Sequence, residues 1–145
     1  MEIIAKLYIL IIFSIILVIF ISHSPEVIAE DNDWLGAGKL LKQKRNYTGA
    51  VAAYNKALEI DPNDVNAWDG KGWALIELGN YTQAISYLNK ALEIDPKHID
   101  ALVFKGQSLY GLGNHTGAKY YFDNALKLDP GNELAKRIYN NLIKK

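Results

Sequence analysis

The sequence predicts an all-α fold, a solenoid of antiparallel helix pairs, and three observations carry that prediction. The first is a period. Residues 55–62 and 89–96 both read NKALEIDP and residues 123–130 read DNALKLDP, each thirty-four positions after the last. A period of that length marks one supersecondary unit stacked on its neighbours. The second is that further columns keep the same step: Trp34, Trp68 and Leu102; Gly38, Gly72 and Gly106; Leu41, Leu75 and Leu109; Ala50, Ala84 and Ala118; Tyr54, Leu88 and Phe122; Ala57, Ala91 and Ala125. The third is chemical. Small and bulky residues in these columns fall at helical spacing, which lets two helices approach closely while large side chains fill the space beside them.

Ahead of the repeats, residues 1–29 form a separate element. Residues 7–21 read LYILIIFSIILVIFI, interrupted only by Ser14, and counting back to Ile3 gives nineteen residues with Lys6 inside. At 1.5 Å per residue that is a helix of about 28 Å. The hydrocarbon core is about 30 Å thick, so the run spans it if Lys6 snorkels to the headgroups. The shorter count fits the apolar region of a secretory signal peptide equally well. No polar stripe marks a solvent face, which argues against a core helix. Lys6 precedes the run, whereas Glu26, Glu30, Asp31 and Asp33 follow it with no basic residue before Lys39. Basic flanks stay cytoplasmic, so the remainder is expected outside. Val27 and Ala29 stand three and one residues before a potential cleavage point at Glu30. The expectation is therefore an extracytoplasmic protein, either secreted after cleavage or anchored once in the membrane through residues 3–21.

Three units follow, at residues 31–64, 65–98 and 99–132. In the second, Asp64 is placed to cap a first helix over residues 65–78, with Trp68, Gly72 and Leu75 along one face. Gly79 supplies the left-handed residue that ends it. Asn80 caps the second helix and Gln83 completes a capping box. That helix buries Ala84, Leu88, Ala91 and Leu92 and stops at Asp95-Pro96, because the residue before a proline disfavours helix. In the first unit Arg45 replaces the terminating glycine, so Asn46 is expected to take the left-handed role. Residues 133–145 read as a closing helix. Leu134, Ile138 and Leu142 form its apolar stripe, and Lys136, Arg137, Asn141 and Lys145 give the array a polar outer face.

The period and columns resemble the tetratricopeptide repeat (TPR) over residues 31–132. The resemblance implies a right-handed superhelical solenoid, a C-terminal solvating helix, and a concave groove that takes extended or helical peptides. In that family the groove is lined by the first helix of each unit. Position by position this gives Asn32, Leu35, Lys39 and Lys42, then Asn66, Asp69, Trp73 and Ile76, then Asp100, Val103, Phe104, Gln107 and Tyr110. The candidate peptide-binding residues are Lys39, Trp73, Ile76, Phe104, Gln107 and Tyr110. Trp73, Phe104 and Tyr110 would form an aromatic run suited to an apolar or mixed anchor. The competing reading is that Trp73 and Phe104 only pack between neighbouring first helices. Relatives that hold the acidic tail of cytosolic chaperones use a clamp of lysines, asparagines and an arginine. Leu35, Lys39, Gly70, Asp100 and Phe104 occupy those positions here, so no such clamp is implied.

Composition narrows the function. Sixteen basic residues against sixteen acidic ones argue against a nucleic-acid partner. The absence of cysteine excludes a disulfide framework, a thiolate zinc site and a thiol nucleophile. His98 lies beside a turn, and His115 stands where the other units have Tyr47 and Tyr81. Both read as substitutions within the repeat, without a ligand partner at metal spacing on one face. Glu59, Asp61, Glu93 and Asp95 recur as solvated features. No catalytic set, metal, cofactor or small-molecule substrate is expected. The expected function is a non-enzymatic scaffold, exported or membrane-tethered, that binds a peptide segment of a protein partner. The alternative is a self-associating structural unit of a surface or secreted assembly. Asn46, Asn80 and Asn114 also begin glycosylation acceptor sequons, Asn-Tyr-Thr twice and Asn-His-Thr. Their expected use as helix caps opposes modification.

Overall fold

The computed structural model describes residues 33–143. The expected signal or anchor segment at 1–29, its membrane run at 3–21 and the cleavage point lie outside the described residues. Seven helices follow one another among the described residues: α1 (Trp34–Gln43), α2 (Tyr47–Ile60), α3 (Val65–Glu77), α4 (Tyr81–Ile94), α5 (Ile99–Gly111), α6 (His115–Leu128) and α7 (Glu133–Ile143). None of them is long and apolar enough to cross a membrane.

The boundaries have local causes. The Asp33 carboxylate accepts from the Gly36 amide at 2.6 Å, and Asn46 and Asn114 accept from Gly49 and Gly117 at 2.9 Å. Asp64 accepts from two amides, Asn66 at 2.9 Å and Ala67 at 3.2 Å. Each bond satisfies a donor that the first turn leaves without a helical partner. Asn80 caps α4 at 3.4 Å from the Gln83 amide, but the reciprocal bond runs from Asn80 Nδ2 to Gln83 Oε1 at 2.9 Å and does not reach the cap's own backbone. Gly79 and Gly113 take φ of 76° and 80° as α3 and α5 end. In the first unit the left-handed residue is Arg45 itself, at φ 59°, while Asn46 sits at −87°. The expected roles are thus corrected. The left-handed position always directly precedes the capping asparagine, and Asn46 is committed to capping α2.

Packing follows the columns. The Tyr54 ring lies between α1 and α3 so tightly that a methyl at Gly38 or at Gly70 would stand 2.5 Å from it. Leu88 presses on Gly72 and Phe122 on Gly106 in the same way, with a methyl at 2.6 and 2.8 Å. Tyr54, Leu88 and Phe122 are essentially inaccessible to solvent, and burying such a side chain is worth roughly 1.5–3 kcal/mol. Leu92, expected in the core, is only half-buried against it. Within each pair the two helices pack together, and α7 packs on α6 and α5. It seats Ala135 in the core with Leu134, Ile138 and Tyr139 beside it.

One asymmetry positions the candidate site. The backbones of the first helices α1, α3 and α5 come within 8 Å of one another in succession, whereas those of the second helices α2, α4 and α6 do not. The array is therefore tighter on the first-helix side, and α1, α3 and α5 form its inner wall.

Candidate functional site

The six residues expected to bind a peptide divide into two groups on this wall. Lys39 on α1 is exposed, while Trp73 on α3 and Gln107 and Tyr110 on α5 are half-buried. Ile76 and Phe104 are only 4% and 5% exposed and belong to the core. Of the pair for which packing was the competing reading, Phe104 is buried and Trp73 only half so; Ile76, expected only in the groove, is buried as well, and both Ile76 and Phe104 offer little surface to a ligand. The expected aromatic run is interrupted at Phe104.

Trp73 is held by two contacts from the first unit. The edge of Tyr47 meets its ring at 5.5 Å between centroids and an interplanar angle of 75°. Lys42 Nζ stands 4.1 Å above the same ring and 5.7 Å from that of Phe104. Both are cation–aromatic distances. On α5, Tyr110 leans against His115 at 5.1 Å. The wall thus presents Lys39 and Lys42 at the α1 end, Trp73 in the middle, and Gln107 and Tyr110 on α5.

Beside Trp73 the structure assembles a polar cluster that the sequence reading did not find. His98 was expected to lack ligand partners, and this is corrected. Its Nε2 donates to Asp69 Oδ2 at 2.8 Å, and donor atoms of Asp69, His98 and Asp100 all lie within 4.8 Å of one another. An ionised carboxylate only accepts, so Nε2 carries the proton of this bond. On the other side of the ring, His98 Nδ1 is 4.0 Å from Asp95 Oδ2. A surface depression of about 370 Å³ adjoins the cluster, lined by Asp95, Lys97, His98, Ile99, Asp100 and Asn132.

Two breaks in the columns signal this pair. The residues before α3, α5 and α7 are Asp64, His98 and Asn132, and the two short polar ones cap their helices, Asp64 through the Asn66 and Ala67 amides and Asn132 through the Ala135 amide at 2.9 Å. His98 makes no cap bond, because its ring reaches across to α3. Asp69 in turn stands where the other units have Leu35 and Val103.

Burial governs the electrostatics. Asp69 is 7% exposed, and desolvation pushes its carboxyl above the usual range, as does the Asp100 charge; the His98 bond and the Lys42 charge pull it back. The hydrogen bond to Asp69 raises the His98 imidazole above its ordinary value, against desolvation and with help from the charges of Asp69, Asp100 and Asp95. Tyr54 is pushed up to about 12 by burial and then by the Asp69 charge. The sequon asparagines Asn46, Asn80 and Asn114 are all exposed, with each side-chain oxygen engaged in its cap.

Comparison with known proteins extends the fold. A family profile described as tetratricopeptide repeat matches residues 35–99 and, one unit on, residues 70–133. Among curated proteins none matches the chain. Solved structures do. The TPR domain of Arabidopsis OM64 aligns with a TM-score of 0.74 at 26% identity, over 79% of this chain and 96% of that one. The second TPR domain of human RPAP3, in complex with the HSP70 peptide SGPTIEEVD, gives 0.72 at 22% identity over 78% and 94%. The TPR2B domain of yeast Sti1, in its pHsp70 complex, gives 0.72 at 24% identity over 77% and 94%.

Proposed function

The chain belongs to the tetratricopeptide-repeat family, and from that premise we propose that its array is a non-enzymatic interaction module that takes a peptide segment of a protein partner along α1, α3 and α5. The observation that carries this reading is Trp73. It is half-exposed at the middle of the inner wall, although Trp68, Leu75 and Leu88 already fill the packing columns of its unit. An aromatic side chain that intra-unit packing does not consume is the usual anchor of a peptide groove. Tyr110 and Gln107 flank it on α5, and Lys39 and Lys42 on α1.

The charge pattern separates this groove from those of its structural neighbours. The peptide in the human RPAP3 complex ends in Glu-Glu-Val-Asp. Here Asp69 and Asp100 stand on the wall, and a run of carboxylates would be repelled by Asp100. The partner segment is one with an aromatic or aliphatic anchor for Trp73, an acidic residue toward Lys39 and Lys42, and no acidic terminus.

The test is a peptide-display selection on the folded chain, followed by titration of the selected peptide. Trp73→Ala and Tyr110→Ala are each expected to weaken binding about thirtyfold, the equivalent of about 2 kcal/mol, with the helical circular-dichroism signal retained. SGPTIEEVD is expected not to compete. A variant that loses stability while keeping its affinity would remove Trp73 from the site.

The location of the module belongs to the same proposal: outside the cytoplasm, secreted or tethered through residues 3–21. The charge order around its apolar stretch at 7–21 supports it, with Lys6 against only Glu2 before and four acids after. A reporter active only outside the cytoplasm, fused after Lys145, should be active. It should fall silent when residues 7–21 are deleted.

A further inference from the structure

We propose that Asp69, His98 and Asp100 form a binding site for a divalent transition-metal ion of the zinc class. The three side chains come from α3, from the turn before α5 and from α5, and their donor atoms already lie within 4.8 Å of one another. A tetrahedral ion with bonds of 2.0–2.1 Å holds its ligand atoms about 3.3 Å apart. The His98–Asp69 pair, at 2.8 Å, needs to open by about half an ångström to admit one, on the same scale. Asp100 is exposed, so its carboxylate is free to swing inward.

The donor chemistry selects the ion. One imidazole nitrogen and two carboxylate oxygens suit zinc, cobalt or nickel, whereas calcium asks for six to eight oxygens and soft copper(I) for sulfur. Three protein donors leave at least one coordination position for water, and the adjoining depression gives access to it. Asp95, 4.0 Å from Nδ1, lies on the side of the ring where metal-binding histidines commonly meet an orienting carboxylate. The departures from the repeat point the same way. His98 gives up a helix cap and Asp69 replaces an apolar residue. Both exchanges are costly for the fold alone, since a buried carboxylate carries a desolvation penalty that an ion would offset. One group opposes the ion: Lys42, whose charge acts on Asp69 from α1.

The experiment uses the full chain in detergent micelles, stripped with a chelator and titrated first with Co²⁺, read by its visible ligand-field absorption, and then with Zn²⁺ in competition. One equivalent of Co²⁺ is expected to bind, to be displaced by Zn²⁺, and to raise the melting temperature. Asp69→Asn, His98→Gln and Asp100→Asn are each expected to lower affinity at least tenfold. Lys42→Ala should tighten it several-fold, with the stoichiometry kept at one ion, whereas nonspecific binding would not saturate at one equivalent. Asp100→Asn alters only an exposed side chain, so its result stands even if a variant of the buried pair unfolds. Absence of saturable binding by the folded chain overturns the proposal and leaves a hydrogen-bonded pair without an ion. Equal affinity in wild type, His98→Gln and Asp100→Asn also overturns it, because the ion would then be held elsewhere.

Discussion

At the scale of single residues, two backbone positions respond to substitution in opposite directions. The Tyr54 ring is buried and has no room to retreat, and a methyl at Gly70 would stand 2.5 Å from it. Gly70→Ala is therefore expected to destabilise the chain by about 1–3 kcal/mol, the ordinary cost of overpacking. Arg45 holds φ 59°, a conformation that costs a side-chain-bearing residue roughly 1–2 kcal/mol and glycine almost nothing. Arg45→Gly should recover about 1 kcal/mol of that, so urea midpoints should move down for the first variant and up for the second. His98 makes a third prediction, for the chain freed of metal by chelator. Its imidazole is held above the ordinary 6.5 by the bond to Asp69, so the folded chain binds that proton more tightly than the unfolded one. The resulting stabilisation is fully present below pH 6.5 and fades as pH rises through the raised folded value. The groups that face the ring are Asp69 on α3, Asp95 in the preceding turn and Asp100 on α5, with Lys42 acting on Asp69 from α1. Stability followed by urea unfolding from pH 6 upward should fall in wild type and lose that slope in His98→Gln; an unchanged slope would assign it to other groups. The pair itself was not legible in the sequence. Its members stand twenty-nine residues apart, near the two ends of the second unit, and the columns show each only as a harmless departure.

At the scale of elements, what could be read in advance was whatever local chemistry determines. Asp64, Asn80 and Pro96 fix where helices begin and end, and those boundaries agree with the expected ones to within a residue. The column glycines were legible as points of close approach, but not which ring would meet each of them. Gly70 lies outside the glycine column, and only the structure shows that Tyr54 reaches across from the first unit to press on it. The same limit applies to Ile76 and Phe104. Their groove positions follow from helical spacing, whereas their burial depends on how closely α3 and α5 come together. The closing helix α7 was anticipated as an amphipathic stripe, and the structure places Ala135 at zero exposure with Ile138 and Tyr139 against the core. Removing residues 133–145 would uncover that part of α5 and α6. Lower melting temperature and concentration-dependent association are expected, measured by calorimetry and light scattering. A truncated chain that stayed monomeric with unchanged melting would show that α7 does not close the array.

At the scale of the whole array, stability is carried by the units and by the interfaces between them, because each unit contacts only its neighbours. The first and second units are joined by Tyr54 on Gly70 and by Tyr47 and Lys42 on Trp73. The second and third are joined by different contacts: the Tyr81 ring lies where a methyl at Gly111 would be 2.7 Å away, and His98, the residue before α5, reaches back to Asp69 on α3. Lys42 alone among these residues also reaches the third unit, 5.7 Å from the Phe104 ring, so loosening one seam should leave most of the other intact. This bears on function, since Trp73 serves both the first seam and the proposed groove. Its replacement by alanine removes the aromatic contact with Tyr47 and the cation–aromatic contact with Lys42 together. Amide hydrogen exchange on Trp73→Ala should show faster exchange in α1 and α2, while α5, α6 and α7 keep their wild-type protection. Binding measured on the same variant then becomes interpretable: an affinity loss larger than the added opening of the first unit is the groove's own contribution. Uniform acceleration across all the helices would mean that the array opens as one unit, and the division into separate seams would fail.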